Sequence, residues 1–429
     1  MLLAFALERK IAFYCSDVAG ALDRVKATLL LSKLRRYGIH PSILAVLADW
    51  LVGRYGEVTV HGHASNEFAL SNMTFQGTVW GPCLWNVHFS DVSLATRKCA
   101  FDEIVFADDP NAFREFENHI SLDFLLDQLG RCQTEVHRWG QANGVSFEPS
   151  KESMHVLSHT HHYGSSFKLL GVLFDVQLIM GEAVAECASE AHWRLSAILR
   201  TRRFFSLVDL ILQYKSQVLS YLEYRTCAVS HAADIHLYHM DSVQRRFLTN
   251  VGLSTVEALR IHNLAPLSCR RDISNLGIIY RAITKRGPKK LWKFFKLDIT
   301  ARRTSPRWNI HRYQISDVHR NLHRDYIKRS TFGYIHIFNL LPDAVFIMEG
   351  ETLPISLKDF QRNLSNLLKM ASLNVDNWEE LYSSRVPLVS HVLNDFRNVD
   401  VTLPALVSQF SVLCCANVSL IHAFLRFFC

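Results

Sequence analysis

The sequence predicts an α+β fold, and three observations carry that reading. Two short apolar runs, Ile11 to Tyr14 and the stretch leading to Asp108, read as strands that deliver acids to their tips. Elsewhere apolar residues recur at helical spacing, as in Leu22, Val25, Leu29, Leu30 and Leu34. The mixture of strand and helix signals lasts to about Met180 and then gives way to an almost wholly helical pattern. A domain boundary is therefore expected there.

Taken in order, Ile11 to Tyr14 forms a short strand closed by Ser16 and Asp17, and a helix is expected from Ala21 through Tyr37 with Gly38 as its stop. A second helix starts at Pro41 and ends at Gly53, using proline and glycine at the ends that favour them. Tyr55 to Leu70 alternates around "HGHA" and reads as a hairpin. A Gly-bearing turn in "FQGTVWGP" precedes an apolar helix from about Pro82. The strand holding Asp108 follows, and then an amphipathic helix from about Leu122 to Asn143. "VSFEPSKESMHVL" and "FKLLGVLFD" read as two short strands flanking "SHTHHYGSS". Its His159, His161 and His162 have no Cys or carboxylate at ligand spacing, so this is read as a loop. Gly287 and Pro288 read as a linker.

A chain of 429 residues that is 49% hydrophobic can bury a sizeable core in more than one domain, which excludes a disordered tail or a mini-protein. Lys+Arg 47 against Asp+Glu 40 is a mild excess, but Arg281 to Arg329 holds fifteen of the basic residues against three acids. That density suits a polyanionic partner, with a solvated face as the plain alternative. Ten cysteines without a CxxC pair indicate neither a zinc site nor a disulfide framework, and point to a reducing, intracellular setting, nuclear or cytoplasmic. The opening "MLLAFALERK" lacks the marks of a signal peptide. Val401 to Leu425 carries no charge and is long enough to span a bilayer, yet Pro404, Gln409, Asn417 and His422 interrupt it. A buried helix is expected there rather than a membrane segment.

The adjacent carboxylates Asp108 and Asp109 raise the chemical question. Like charges at a tight turn repel unless a cation sits with them, while the plain reading is a solvated hairpin tip. Asp17, at the end of a second strand, changes the balance. If both strands belong to one sheet, three carboxylates converge, and such a set suits paired divalent cations for phosphoryl transfer.

At this point the ordered segments resemble reverse transcriptases, specifically those of non-LTR (LINE-type) retrotransposons. "FYCSDVAGALDRV" is similar to the first catalytic motif, "FQGTVWGP" to the "PQGSVLGP" motif, and "FADD" to the catalytic hairpin. "SFEPSK" resembles the following lysine motif and "LLGVLFD" the segment at the primer grip. Further on, "YKSQVLSYLEYRT", "DSVQRRFLTNVGL" and "LAPLSCRRDISNLGIIYR" resemble the thumb and the helices after it. The resemblance implies a polymerase palm, an antiparallel sheet with helices on one face, over residues 1–180. A helical thumb would follow over 181–285, a basic helical region over 286–400 and an apolar tail over 401–429.

It also implies template-directed DNA synthesis on RNA, with an RNA template, a DNA primer and deoxynucleoside triphosphates as partners. Two Mg2+ ions, or Mn2+, would lie on Asp17, Asp108, Asp109 and the carbonyl of Val18. Leu22 falls at the steric-gate position, Gln76 and Gly77 at the nucleotide and template, Lys151 near the triphosphate, and Leu170 with Gly171 at the primer grip. Several positions depart from the pattern. Leu22 replaces an aromatic, Phe75 a proline, Trp80 adds bulk, and Pro110 is expected to disturb the aim of Asp109. About ten residues precede the first motif, so a fingers segment is expected to be lacking and primer extension to be weak. The alternative is a catalytically inactive nucleic-acid-binding relic of a retroelement.

Overall fold

Strand β1 (Lys10–Cys15) is buried at every position, which is why its apolar run hardly alternates. The computed structural model describes residues 1–70, 74–298, 311–317, 324–347 and 354–385. These form two compact units, Leu7–Ser165 and a second made of Met1–Ala6 with the residues from Ser166 onward. The charge-free stretch Val401 to Leu425 lies outside the described residues. Among those described, no helix is long and apolar enough to cross a membrane.

In the first unit, β1 is flanked on both sides in a four-stranded antiparallel sheet of order β6, β7, β1, β8. Here β6 is Asp102–Phe106, β7 Asp109–Phe116 and β8 Ser153–Leu157. Ala12 and Tyr14 point into a core shared with Leu125, Leu129, Cys132 and Val136 of one long helix, Leu122–Asn143. That helix, called α6 below, keeps the predicted limits because both ends are capped. The Ser121 side chain accepts the Phe124 N–H, and Gly144 takes the left-handed conformation at φ +71°. On the opposite face Phe13 stacks on Phe113, with ring centroids 6.5 Å apart.

The helix expected from Ala21 to Tyr37 is divided. A 3-10 turn over Ala21–Arg24 is followed by extended Val25 and Lys26, and the α-helix α2 begins at Ala27 and ends at Arg36. Helix α3 (Pro41–Leu51) is capped by the His40 ring. Two nested pairs follow, β2 (Arg54–Gly56) with β5 (Phe68–Leu70) and β3 (Thr59–Val60) with β4 (His63–Ala64). His61 and Gly62 turn between β3 and β4 with φ of +50° and +82°. Helices α4 (Gly81–Phe89) and α5 (Val92–Lys98) then lead to β6.

The second unit contains the short helix α1 (Leu2–Ala6) and begins its main run with a hairpin, β9 (Phe167–Leu169) and β10 (Val172–Phe174). "FKLLGVLFD" is thus two strands rather than one, because Leu170 and Gly171 both take positive φ, +48° and +76°, as a tight hairpin turn requires. The division between units falls at Ser165, upstream of the expected Met180. The hairpin is tied to the helix that follows, through Ser166 to Glu182 and Lys168 to Glu186.

The rest is helical: α7 (Gly181–Thr201), α8 (Leu207–Gln213), α9 (Ser220–Tyr224), α10 (Thr226–Val229), α11 (Asp234–Val251), α12 (Thr255–His262), α13 (Leu267–Ile283), α14 (Lys289–Trp292), α15 (Asp325–Arg329), α16 (Tyr334–Leu340) and α17 (Leu357–Asn374). One apolar core runs from Leu259 to Tyr382, with Tyr280 stacked on Phe360 at 4.2 Å. It crosses the expected boundary at residue 286 without a break. Gly287 and Pro288 are a closing turn of α13 rather than a linker, since the N–H groups of Arg286 and Gly287 both reach the Arg281 carbonyl at 3.0 Å.

Four histidines are buried in the neutral form. His88 and His155 lie in the first unit and His231 and His311 in the second, and burial pushes each down to about 4. A folded-state value below the unfolded one means stability that is present above about pH 6.5 and lost as pH falls toward 4. Each ring can remove at most about 1.4 kcal/mol per pH unit across that window. His88 is fully buried and neither ring nitrogen makes a hydrogen bond of normal geometry, its interaction with the Asn143 backbone falling short. Urea titrations at pH 7.5 and 5.0 should show a marked loss of stability at the lower pH. His88→Phe should raise stability by about 1 kcal/mol at pH 7.5, because it removes an unsatisfied buried polar ring, and should flatten the acid dependence.

Candidate active site

Backbone hydrogen bonds sew three segments together at the end of the sheet. Beyond β1, the Val18 N–H donates to the Asp108 carbonyl at 3.2 Å and the Ala19 N–H to the Ser146 carbonyl at 2.9 Å. The Glu148 N–H donates back to the Asp17 carbonyl at 3.0 Å. Ser16 fixes the other side, its hydroxyl donating to the Pro110 carbonyl at 3.0 Å. Asp17 is thereby held between the tip that carries Asp108 and Asp109 and the loop that carries Lys151.

That tip is a two-residue connection, Ala107 and Asp108, between paired Phe106 and Asp109. Ala107 sits in the left-handed region at φ +53°, which costs a non-glycine residue about 1 kcal/mol. The Trp85 indole N–H of α4 steadies it, donating to the Ala107 carbonyl at 2.9 Å. Pro110 is accommodated within β7: it pairs with Val105 in the ladder, and the Ser16 hydroxyl donates to its carbonyl. Trp85 had not been singled out in the sequence, and Ser16 only as a residue closing the first strand. The indole's carbonyl partner lies 22 positions away and left no local signal.

Burial, a hydrogen bond with Asp17, and the charges of Asp17 and Asp108 push the Asp109 carboxyl up to about 7. The Lys151 ammonium lies on the Asp17 carboxylate, and that bond and charge hold the lysine above its usual range. Among the described residues no group of three or more His, Cys, Asp and Glu side chains is gathered as a finished metal cage. The donors nonetheless suit a hard divalent cation. They are carboxylate oxygens, that of Asp109 pushed up by burial and by its acidic neighbours, and the cation lying against Asp17 is a lysine head group. Asp17, Asp108 and Asp109 are the residues that could hold such a cation.

The other positions are placed as follows. Leu22 lies in the 3-10 turn five residues beyond Asp17, half-buried, and its carbonyl accepts the Thr74 N–H at 2.9 Å. This bond anchors the turn bearing Gln76 and Gly77, both exposed, with Gly77 at φ +81°. Phe75 packs edge-on against Trp50 at 5.1 Å. Gly81 comes so close to the carbonyls of Phe75 and Thr74 that a Cβ would meet them at 3.0 and 3.1 Å. Leu170 and Gly171 form the β9–β10 tip in the other unit, where Tyr224 and Arg225 donate to their carbonyls at 2.8 and 3.1 Å. The His159 to His162 loop is an exposed bend in which the Ser158 hydroxyl accepts the Thr160 and His161 N–H groups.

Trp85→Phe removes the donor from the Ala107 carbonyl, at a cost of about 1 kcal/mol. Amide hydrogen exchange at residues 106–109 should then quicken about fivefold, a factor that follows from RT at room temperature. Unchanged exchange would show that the indole contributes nothing to the tip.

A family model described as reverse transcriptase (RNA-dependent DNA polymerase) matches residues 3–174. An RNA-directed DNA polymerase from mobile element jockey of Drosophila funebris is 25% identical over 297 residues, covering 64% of this chain and 31% of that protein. The jockey polymerase of Drosophila melanogaster is 25% identical over 256 residues, covering 55% and 28%. A probable RNA-directed DNA polymerase from transposon X-element of the same species is 24% identical over 255 residues, covering 54% and 28%. This chain thus spans under a third of the length of these relatives in the matched region. A telomerase structure from Candida albicans, in complex with a fragment of telomeric RNA, is a loose likeness, with a TM-score of 0.30 at 11% identity over 56% of this chain and 44% of that one. Over residues 3–174 the chain is similar to reverse transcriptases, and the relatives it resembles are RNA-directed DNA polymerases of mobile elements.

Proposed function

We propose that this chain carries the nucleotidyl-transfer centre of an RNA-directed DNA polymerase, acting on an RNA template, a DNA primer and deoxynucleoside triphosphates. The observation that carries this reading is the meeting of Asp17 with Asp109 at the edge of one sheet, beside Asp108 and Lys151. Magnesium or manganese ions held there would supply a more acidic primer 3′-hydroxyl and a neutralised pyrophosphate leaving group. The chain's own part is positioning. Asp17 and Asp109 give the site a concentration of negative charge, and a divalent cation held there would favour the ionised form of Asp109. Lys151, on a long exposed stem, exchanges the Asp17 carboxylate for a phosphate oxygen of the incoming triphosphate. Leu22, without the breadth of an aromatic ring, leaves discrimination against ribose to weaker contacts.

The test is primer extension on an RNA template with magnesium or manganese. Extension should be low and metal-dependent, and Asp108→Asn should reduce it at least about a hundredfold, as removal of a group that stabilises transition-state charge does. Extension that survives this substitution would overturn the assignment. The relic alternative has no observation of its own in its favour.

Nucleic-acid binding rests on fewer cations than the basic stretch suggests. Arg281 is buried, Arg286 donates to the carbonyls of Ile355 and Pro354, and Arg329 to that of His231, so these three hold the second unit together. Among the described residues the exposed cations include the four lysines Lys289, Lys290, Lys293 and Lys296, and also Arg202 and Arg203 beside Phe204. Replacing the four lysines by glutamine should weaken duplex binding. It should also make the slope of log affinity against log salt shallower by up to about 3.6, since each phosphate contact contributes roughly 0.9. An unchanged slope would make this face a solvated surface.

A further inference from the structure

We infer that Glu152 is the positioning residue that aims Lys151 at Asp17, a role that rests on the nucleotidyl-transfer reading only for its purpose. Glu152 follows Lys151 directly and immediately precedes β8, and its side chain is 9% exposed. Three donors from two other elements converge on it. The Tyr14 hydroxyl of β1 donates to Oε1 at 2.8 Å, His137 Nε2 of α6 meets the same oxygen at 2.7 Å, and Gln133 Nε2 of α6 donates to Oε2 at 2.8 Å. Burial first, then the Glu152 charge, drives the Tyr14 phenol far above its usual range, so it stays a donor.

A buried carboxylate costs far more than an apolar side chain of the same volume would. Packing against Tyr14 would not need one; direction does. The loop before β8 is pinned at its other end as well. The Glu148 N–H is bound to the Asp17 carbonyl at 3.0 Å and the Lys151 N–H to the Glu148 carbonyl at 3.0 Å. Lys151 is therefore a mobile side chain, 63% exposed, on a backbone clamped at Glu148 and Glu152. The clamp sets where its ammonium can reach. His137, its ring tilted against Phe147 with centroids 5.3 Å apart, carries the restraint from α6 into the same loop.

The experiment reads Lys151 itself. In metal-free buffer, the acylation rate of Lys151 by an amine-reactive ester is followed by peptide mass spectrometry, with Lys290 as reference. Glu152→Ala should free the ammonium from Asp17 and raise the rate about fivefold. His137→Phe, which keeps the ring contact and is the milder change, should raise it by a smaller factor. In an Asp17→Asn background, Glu152→Ala should add nothing further. A folded Glu152→Ala protein with an unchanged Lys151 rate would overturn the inference, as would equal gains with and without Asp17. Binding of deoxyadenosine triphosphate with magnesium is the second arm. Affinity should fall about tenfold in Glu152→Ala, with no further loss when Lys151→Ala is already present. Wild-type protein that binds no triphosphate, yet shows the acylation response, would refute the nucleotide reading and leave the positioning role established.

Discussion

Electrostatic repulsion among three carboxylates is the constraint around which the first unit is built. Asp17, Asp108 and Asp109 would separate if the backbone allowed it. It does not, because the Val18 to Asp108 and Glu148 to Asp17 main-chain bonds fix two of the segments from either side and Ser16 fixes the third at Pro110. Burial and the neighbouring carboxylates together push the Asp109 carboxyl up, and the Lys151 ammonium lies on Asp17. The sheet behind the acids has to be rigid for this. Buried β1, hydrogen-bonded on both edges, is the strand that supplies that rigidity.

Much of this centre was legible in the sequence because it depends on local pattern. An apolar run closed by an acid identifies a strand with a tip, and two such runs in one chain suggest a shared edge. Helix α6 was readable to the residue, since Ser121 and Gly144 are capping residues in sequence as well as in structure. The failures have a common cause, which is local backbone geometry imposed from a distance. The helix expected from Ala21 breaks at Val25 and Lys26, where the chain turns after Leu22 is bound by Thr74, a partner 52 positions on. Pro110 looked disruptive because its effect was judged on its own strand, whereas its partners are Val105 and Ser16.

The second unit shows the same limit from the side of charge. Arg281, Arg286 and Arg329 contribute to a basic density that suggests a polyanion, yet each is oriented toward the protein's own structure. Composition counts charges and cannot say which of them meet a carbonyl. Arg271 gives a further case, bound through two nitrogens to Asp241 at 2.6 and 2.9 Å while Tyr334 donates to neighbouring Asp272. Burial pushes Asp272 up to about 7, so this network tolerates one anion well and a second poorly.

The pairing of Lys151 with Asp17 gives the acidic site a counter-charge from within the chain. A strongly acidic cluster with no counter-charge would favour opening of the tip, whereas a lysine on an exposed stem neutralises part of it without being locked in place. In the proposed reaction the same ammonium would be available to a phosphate if a divalent cation took over the carboxylate, because an exposed ion pair is worth little and is readily exchanged. A buried arginine in that position would be harder to displace and would compete with the cation. The choice of an exposed lysine, held by a clamped backbone rather than by its own burial, follows from the need for a counter-ion that can leave.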